Sequence, residues 1–382
     1  MKAADPVAII GGGPVGLVLA LALHRRGVPS RVFERRADAR SGSRSIGIHP
    51  VSIELLAELG LAERFLSRGV HVKRGIAFGR DGALGIIDFS SCPGPYGFIL
   101  AIPQEDTESI LRGALQDRAP AALVVAETRS VVDDGQGVTL HLESGGESRE
   151  ERASIVVGAD GKSSVVRAAI GAGFDGGPYP GAYVMGDFPD TTSFGDDAAV
   201  FLHPDGLVES FPLPGRVRRW VARLRSNEEL SLDSLAAAVL RRTRHRLAPG
   251  DAHRTSSFRA ERYLARALAR GRIALAGDAA HVVSPIGGQG MNVGWLGAMS
   301  LADTLASIVR EGKGAESSLL RDAAARRRVA ATAARRAELN MWLGRPLQEP
   351  WLRERLLQGL LASPARHVLA RMFTMRGLTL GV

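Results

Sequence analysis

The 382-residue sequence predicts an α/β fold in which one nucleotide-sized domain is assembled from three distant stretches, with a β-sheet layer inserted and a helical carboxy-terminal tail. Three observations predict it. Apolar, β-branched runs at Val7-Ala-Ile-Ile10, Ile155-Val-Val-Gly158 and Arg272-Ile-Ala-Leu-Ala276 each end in a turn rich in glycine or aspartate, and each leads toward a helical pattern. Between the second and third runs the apolar residues recur at strand spacing. Beyond residue 315 Arg and Ala dominate at helical spacing, which reads as a solvated helical region, 316–382.

A chain of this length with 45% hydrophobic residues can bury a sizeable core. The net charge of +9 does not point to nucleic acid, because only Lys2, Lys73, Lys162 and Lys313 are lysines and the arginines are spread among acids along the chain. Cys92 is the only cysteine, so no intramolecular disulfide or Cys-x-x-Cys pair can form, as expected of a cytoplasmic protein. The apolar run 7–23 is broken by Gly11, Gly12, Gly13, Pro14 and Gly16 and is shorter than the roughly 20 residues that a membrane-spanning helix needs, so no membrane span is expected.

The first run has the clearest chemistry. Gly11-Gly-Gly-Pro-Val-Gly16 follows a strand and opens a helix, Leu17 to Arg26. In such a turn Gly11 permits the tight bend, Gly13 lets backbone approach a pyrophosphate and Gly16 lets helix and strand pack closely, with Pro14 and Val15 on the same contact surface. The positive helix end then attracts phosphate. A second strand, Ser30-Arg-Val-Phe33, delivers Glu34, where a carboxylate can take hydrogen bonds from a ribose diol. These features describe a Rossmann-like dinucleotide site. Arg35 and Arg36 could instead meet an NADP 2′-phosphate, so this site alone leaves FAD and NADP open.

The distant segments favour FAD. Gly277-Asp278 ends the third strand, and the Asp278 carboxylate suits a ribityl hydroxyl. Pro285 and Gly287-Gly-Gln-Gly-Met-Asn292 then open a helix that runs to about Val309. The amides of Gly290, Met291 and Asn292 fall in its first turn, where unpaired N–H groups and the helix dipole favour the negative charge of a reduced flavin ring. Asp160 and Ser163, after the second strand, read singly as helix N-caps. The lone cysteine excludes the flavin disulfide reductases, which need two.

In order and spacing these segments resemble the group A flavoprotein monooxygenases, of the para-hydroxybenzoate hydroxylase type. The resemblance implies that Gly11, Gly13, Gly16 and Glu34 form the ADP site, that Asp160-Gly161 with Arg167 serves FAD and the nicotinamide donor, and that Gly277-Asp278 holds the ribityl chain. It also places Arg44 near FAD and the transient nicotinamide, and Gln104 on the flavin. One departure stands out: Gly297 occupies a helix position where the family usually carries an acid. Ending at Val382, the chain is expected to be the short form, without the extra carboxy-terminal domain of larger relatives.

The resemblance implies an FAD-binding domain from 1–75, 100–170 and 270–315, and a substrate layer from 76–99 and 171–269. In that layer 198–203 and 207–213 read as a hairpin and 218–224 as a further strand, while 229–247 reads as a helix with Leu230, Leu235, Val239 and Leu240 on its apolar face. The implied activity is hydroxylation of an aromatic or electron-rich small molecule with NAD(P)H and O2. NAD(P)H binds transiently and reduces FAD, oxygen adds at the flavin C4a carbon, and one oxygen atom passes to the substrate. Pro285 is the candidate for shaping the oxygen-reacting face, and His203 is the candidate base for a phenol. A reductase or oxidase on the same scaffold would share the cofactor motifs.

Overall fold

The computed structural model describes residues 5–38, 45–225, 228–312, 314–347 and 349–378. Its nucleotide layer is a six-stranded sheet ordered Ala269–Arg270, Ile273–Leu275, Ile155–Gly158, Val7–Ile10, Ser30–Glu34 and Leu123–Val125. All neighbours are parallel except the edge pair Ala269–Arg270 and Ile273–Leu275. Every residue of Val7–Ile10 and Ile155–Gly158 is buried, which is why these strands read as unbroken apolar runs rather than alternating ones.

The helix Pro14–Arg25 starts at Gly13 with Pro14 in its first turn, where a missing N–H leaves no hydrogen bond unmade. It buries a continuous run, residues 16–23, between the sheet and the helices Gln104–Arg118 and Gln289–Glu311. A separate antiparallel unit, Glu127–Asp133, Val138–Ser144 and Glu147–Ala153, lies beside it.

A second large sheet has seven strands, ordered Arg254–Phe258, Ala182–Pro189, Val217–Leu224, Gly206–Leu213, Ala198–His203, Arg74–Phe78 and Ala83–Asp88. Because strand side chains alternate, its two faces carry different residues. One face, with Val184, Phe201, Val208 and Trp220, is sealed by the helix Leu232–Thr243 through Leu235 and Val239. The other, with Met185, Leu202, Leu207 and Val221, packs against Ile286, Met341 and Leu361. That second face looks toward the loop that precedes Gln289–Glu311.

Two expectations need correction here. The helix predicted over 229–247 is shorter: Ser231 caps it and Arg244 ends it in a left-handed conformation, leaving Leu230 and Leu240 exposed. The Arg- and Ala-rich region is not solvated throughout. Helix Ala315–Leu343 buries Leu319, Ala323, Arg326, Ala330, Ala333 and Ala337, a seam of mostly small side chains that lets it lie close against Gln289–Glu311. Among the described residues, no helix is long and apolar enough to cross a membrane.

Candidate cofactor and active site

The glycine turn is built by close backbone approach. Gly11 has φ +106°, its N–H donates to Phe33 O at 2.8 Å, and any Cβ there would collide with the backbone of Ala159. A Cβ on Gly16 would likewise collide with Gly11 O, whereas one on Gly13 would meet nothing within 4 Å. The first two glycines serve packing, and Gly13 borders open space that a ligand backbone could fill. Glu34, 7% exposed, takes the Gly12 N–H on Oε2 at 2.8 Å and the Arg36 N–H on Oε1 at 3.1 Å. Arg36 thereby turns toward Glu34, at 3.4 Å, and Arg35 is exposed at the rim.

The Asp160 carboxylate caps the helix that follows it. Oδ2 accepts from the N–H groups of Val165 and Val166 at 2.8 and 3.3 Å, while the buried Oδ1 has no hydrogen-bond partner. Burial raises this carboxyl's pKa. Ser164, not Ser163, provides the side-chain cap, taking the Arg167 N–H at 2.9 Å. Arg167 donates to Lys162 O at 2.7 Å and to Ala279 O at 3.2 Å, with its guanidinium 3.9 Å from the Phe174 ring centre. It therefore ties the Asp160 loop to the Gly277–Ala279 turn.

That turn needs glycine: Gly277 has φ +57°, and a Cβ there would lie 3.1 Å from Val15. Val15 also packs against Gly294 of the long helix, and Trp295 Nε1 donates to Pro14 O at 3.0 Å, so the first and third motifs share one interface. Asp278 is exposed beside them.

The loop into the long helix is equally constrained. Gly288 N–H donates to Pro285 O at 2.9 Å, Gly287 and Gly288 both have positive φ, and the helix begins at Gln289. Gly290 and Met291 stand half-buried in its first turn. The Asn292 side chain has a different use: Nδ2 donates to Gly47 O and Gly288 O at 2.9 and 2.8 Å, and Oδ1 takes the His49 N–H at 2.9 Å. His49, absent from the sequence-based candidates, is fully enclosed here. Neither ring nitrogen has a hydrogen-bond partner, the backbone of Gly287, Gly288 and Phe373 lies nearest, and burial lowers its pKa to about 4. Arg44 lies outside the described residues. Gln104 opens the helix Gln104–Arg118, donates to Glu108 Oε1 at 2.8 Å, and follows a strand, Ile99–Ala101, that pairs with Gly47–Ile48.

His203 ends the strand Ala198–His203. It shares strand parity with Ala199 and Phe201, which pack on the face sealed by helix Leu232–Thr243. Its Nδ1 accepts the Asp205 N–H at 3.1 Å, and Arg242 of that helix is among the nearby charges. It therefore stands at a hairpin end on the sheet face opposite Ile286. Phe201 is core on that sealed face, and Phe211 packs beside Val70, Ile99 and Phe373. The face toward Ile286 holds another ionisable group that the sequence analysis passed over: Glu209, 7% exposed, paired across the sheet with Val200 and Val221. Burial alone raises its pKa to about 7.

Gly297 faces Arg326, whose Cδ would lie 3.3 Å from a Cβ there. Arg326 Nε donates to Asp322 Oδ2 and Nη1 to Leu275 O, both at 2.5 Å. Asp322 Oδ1 also accepts from Ser300 Oγ at 2.7 Å, so its carboxylate links the two helices. A cavity of about 10 Å³ remains, lined by Gly277, His281, Gly297 and Arg326.

These residues fit FAD by their own geometry. Open space lies over Gly13, the buried Asp160 Oδ1 lacks a partner, Asp278 is accessible, and a helix N-terminus with two glycines stands behind Pro285. Among the described residues no cluster could hold a metal ion. A dinucleotide site joined to a second sheet by such loops defines a flavin-binding protein. The chain belongs to the FAD binding domain family, whose profile matches residues 5–337, and FAD is its cofactor.

It is 32% identical over 317 residues to 6-methylpretetramide 4-monooxygenase of Streptomyces rimosus, covering 80% of this chain and 56% of that one. It is also 32% identical over 326 residues to pentachlorophenol 4-monooxygenase of Sphingobium chlorophenolicum, covering 80% and 58%. The chain thus spans little more than half the length of these two relatives. In fold it superposes on p-nitrophenol 4-monooxygenase from Pseudomonas putida DLL-E4 with a TM-score of 0.86, at 23% identity and 99% coverage of both chains. An anhydrotetracycline hydroxylase from Streptomyces rimosus gives 0.79 at 27% identity, with coverage of 98% and 76%. The α/β architecture and the likeness to group A flavoprotein monooxygenases expected from the sequence are both upheld.

Proposed function

We propose that the protein is a monooxygenase that hydroxylates an aromatic or similarly electron-rich small molecule with NAD(P)H and O2. The observation that carries this reading is that the Pro285–Gly288 loop, at the start of helix Gln289–Glu311, packs its Ile286 into the apolar face of the seven-stranded sheet. A ring held there would meet a substrate layer from which water is excluded. The relatives named above, both monooxygenases, support the same class.

Bound FAD supplies the redox chemistry, taking electrons from NAD(P)H and activating O2 for transfer of one oxygen atom. The protein's task is to bind, orient and dry the site. Gly11, Gly13, Pro14, Val15, Gly16 and Glu34 would hold the ADP end, with Arg35 at its rim. Asp160 and Arg167 would fix the middle, Arg167 by locking two loops together. Gly277 and Asp278 would meet the ribityl chain. The amides of Gly290 and Met291, with that of Asn292, would stabilise negative charge at the ring edge. Pro285 would set the wall of the reacting face. Gln104 and Arg44 keep the roles that the family resemblance implies, and the division into an FAD domain of 1–75, 100–170 and 270–315 with a substrate layer of 76–99 and 171–269 belongs to this proposal.

The test is NAD(P)H oxidation by the FAD-loaded protein against phenols, quinones and polycyclic aromatics. Substrate-stimulated consumption is the expected result. Consumption that no aromatic alters would overturn the reading.

A further inference from the structure

Gly206–Leu213 is a central strand of the seven-stranded sheet, and its odd-numbered residues face Ile286. Leu207 and Phe211 on that face are apolar, as are the flanking Val200 and Val221. Glu209 stands in the middle of them. Of the described residues, none hydrogen-bonds its carboxyl, and the nearby Tyr183 hydroxyl is engaged with Met341 Sδ at 3.5 Å. Arg219, the cation next along this face, is held by Asp187 through two bonds of 2.6 and 2.7 Å. A buried carboxyl flanked by valines and left without a donor is costly, so its partner must come from elsewhere. The face it occupies is the one that meets the loop beside Pro285.

We propose that Glu209 is the specificity-determining residue of the substrate pocket, accepting a hydrogen bond from a hydroxyl or amino group on the aromatic ring. This rests on the monooxygenase reading above. Once ionised, at a pH above its raised pKa, the carboxyl only accepts hydrogen bonds, so there it selects ring substituents that donate and disfavours ring carboxylates at the same point. Leaving a buried acceptor unpaired penalises a ligand that lacks the donor, which makes discrimination sharp.

The test uses paired probes differing only in the donor: phenol with anisole, 2-naphthol with 2-methoxynaphthalene, and aniline with N,N-dimethylaniline. Binding is read from the perturbation of flavin absorbance, and turnover from NAD(P)H oxidation. The FAD-loaded wild type is expected to bind the donor member of each pair about tenfold or more tightly. Glu209→Leu should bring that ratio to about one while FAD occupancy and thermal unfolding show a folded protein. Glu209→Gln, whose amide oxygen still accepts, should fall between. If aromatics stimulate NAD(P)H oxidation but the ratio survives in Glu209→Leu, or is absent from the wild type, the assignment of Glu209 is wrong and the monooxygenase reading stands. If no aromatic stimulates oxidation, both fall.

Discussion

Arg326 and Asp322 form a buried ion pair one helical turn apart, at 2.5 Å, and the Arg326 side chain lies against Gly297 of the neighbouring helix. The guanidinium also holds Leu275 O, at the end of the strand that leads to Gly277 and Asp278. By holding this guanidinium, Asp322 steadies the turn at Gly277 from helix Ala315–Leu343. Breaking a pair of this kind leaves a charge stranded in the core, at a cost of about 3 to 5 kcal/mol. Asp322→Ala should lower unfolding free energy by that order in a urea titration and weaken FAD retention on gel filtration. A variant as stable as wild type would show that the pair is not structural.

Asp278 is accessible beside the constrained Gly277, as a group that meets a ligand should be. Replacing it with Ala should leave the fold intact and raise the FAD dissociation constant about ten- to a hundredfold, the worth of a charged hydrogen bond. Fluorescence titration of the apoprotein with FAD measures this directly. An unchanged constant would remove Asp278 from the site.

His203→Ala should leave kcat within about twofold of wild type, since the side chain sits on the sealed sheet face and bonds Asp205. Steady-state turnover with any substrate found decides it. A fall of about a hundredfold or more would return His203 to the chemistry and contradict the strand-parity argument.

Glu209 makes a prediction about stability as well as specificity. Its carboxyl is raised by burial from 4.5 to about 7 in the folded protein. As pH climbs, the unfolded chain releases this proton first, while the folded protein holds it until near the higher value. Stability is therefore lost across that window and stays lower above it, by on the order of 3 kcal/mol. Burial pushes Tyr183 far upward, so it stays neutral throughout. His49 and His281, lowered to about 4, act in the opposite sense, with stability lost as pH falls below 6.5 toward 4. Comparison with Glu209→Gln isolates the carboxyl: the variant should gain on wild type as pH rises from about 5 to 7.5. A constant difference would show that Glu209 is not a buried, unpaired acid.

The glycine turns were legible in the sequence because each requires particular residues at fixed local spacing. Gly11 and Gly16 admit no side chain, Gly277 needs positive φ, and Glu34 must end the second strand to reach Gly12. The substrate side was less legible. Alternation marks a strand but does not say which face meets the cofactor, so His203 and Glu209, on the same hairpin, could not be told apart without the register that puts Phe201 beneath a helix and Val200 toward Ile286. Asn292 was expected at the cofactor by its backbone, but its side chain ties the His49 segment to the long helix, a contact across 243 residues. The burial of Arg326 was hidden for the opposite reason: an Ala- and Arg-rich helix looks solvated until a partner close enough to use its small residues is in place.

The claim that joins these findings is that the loop around Pro285 and the face of the seven-stranded sheet against which Ile286 packs serve oxygen transfer. Reaction of the FAD-loaded protein with NAD(P)H, a phenol that stimulates NAD(P)H oxidation, and ¹⁸O₂, followed by mass spectrometry of the product, measures that most directly. The account predicts one ¹⁸O atom in each product molecule. Product formed without ¹⁸O would contradict it and assign the site to a reductase or oxidase on the same scaffold.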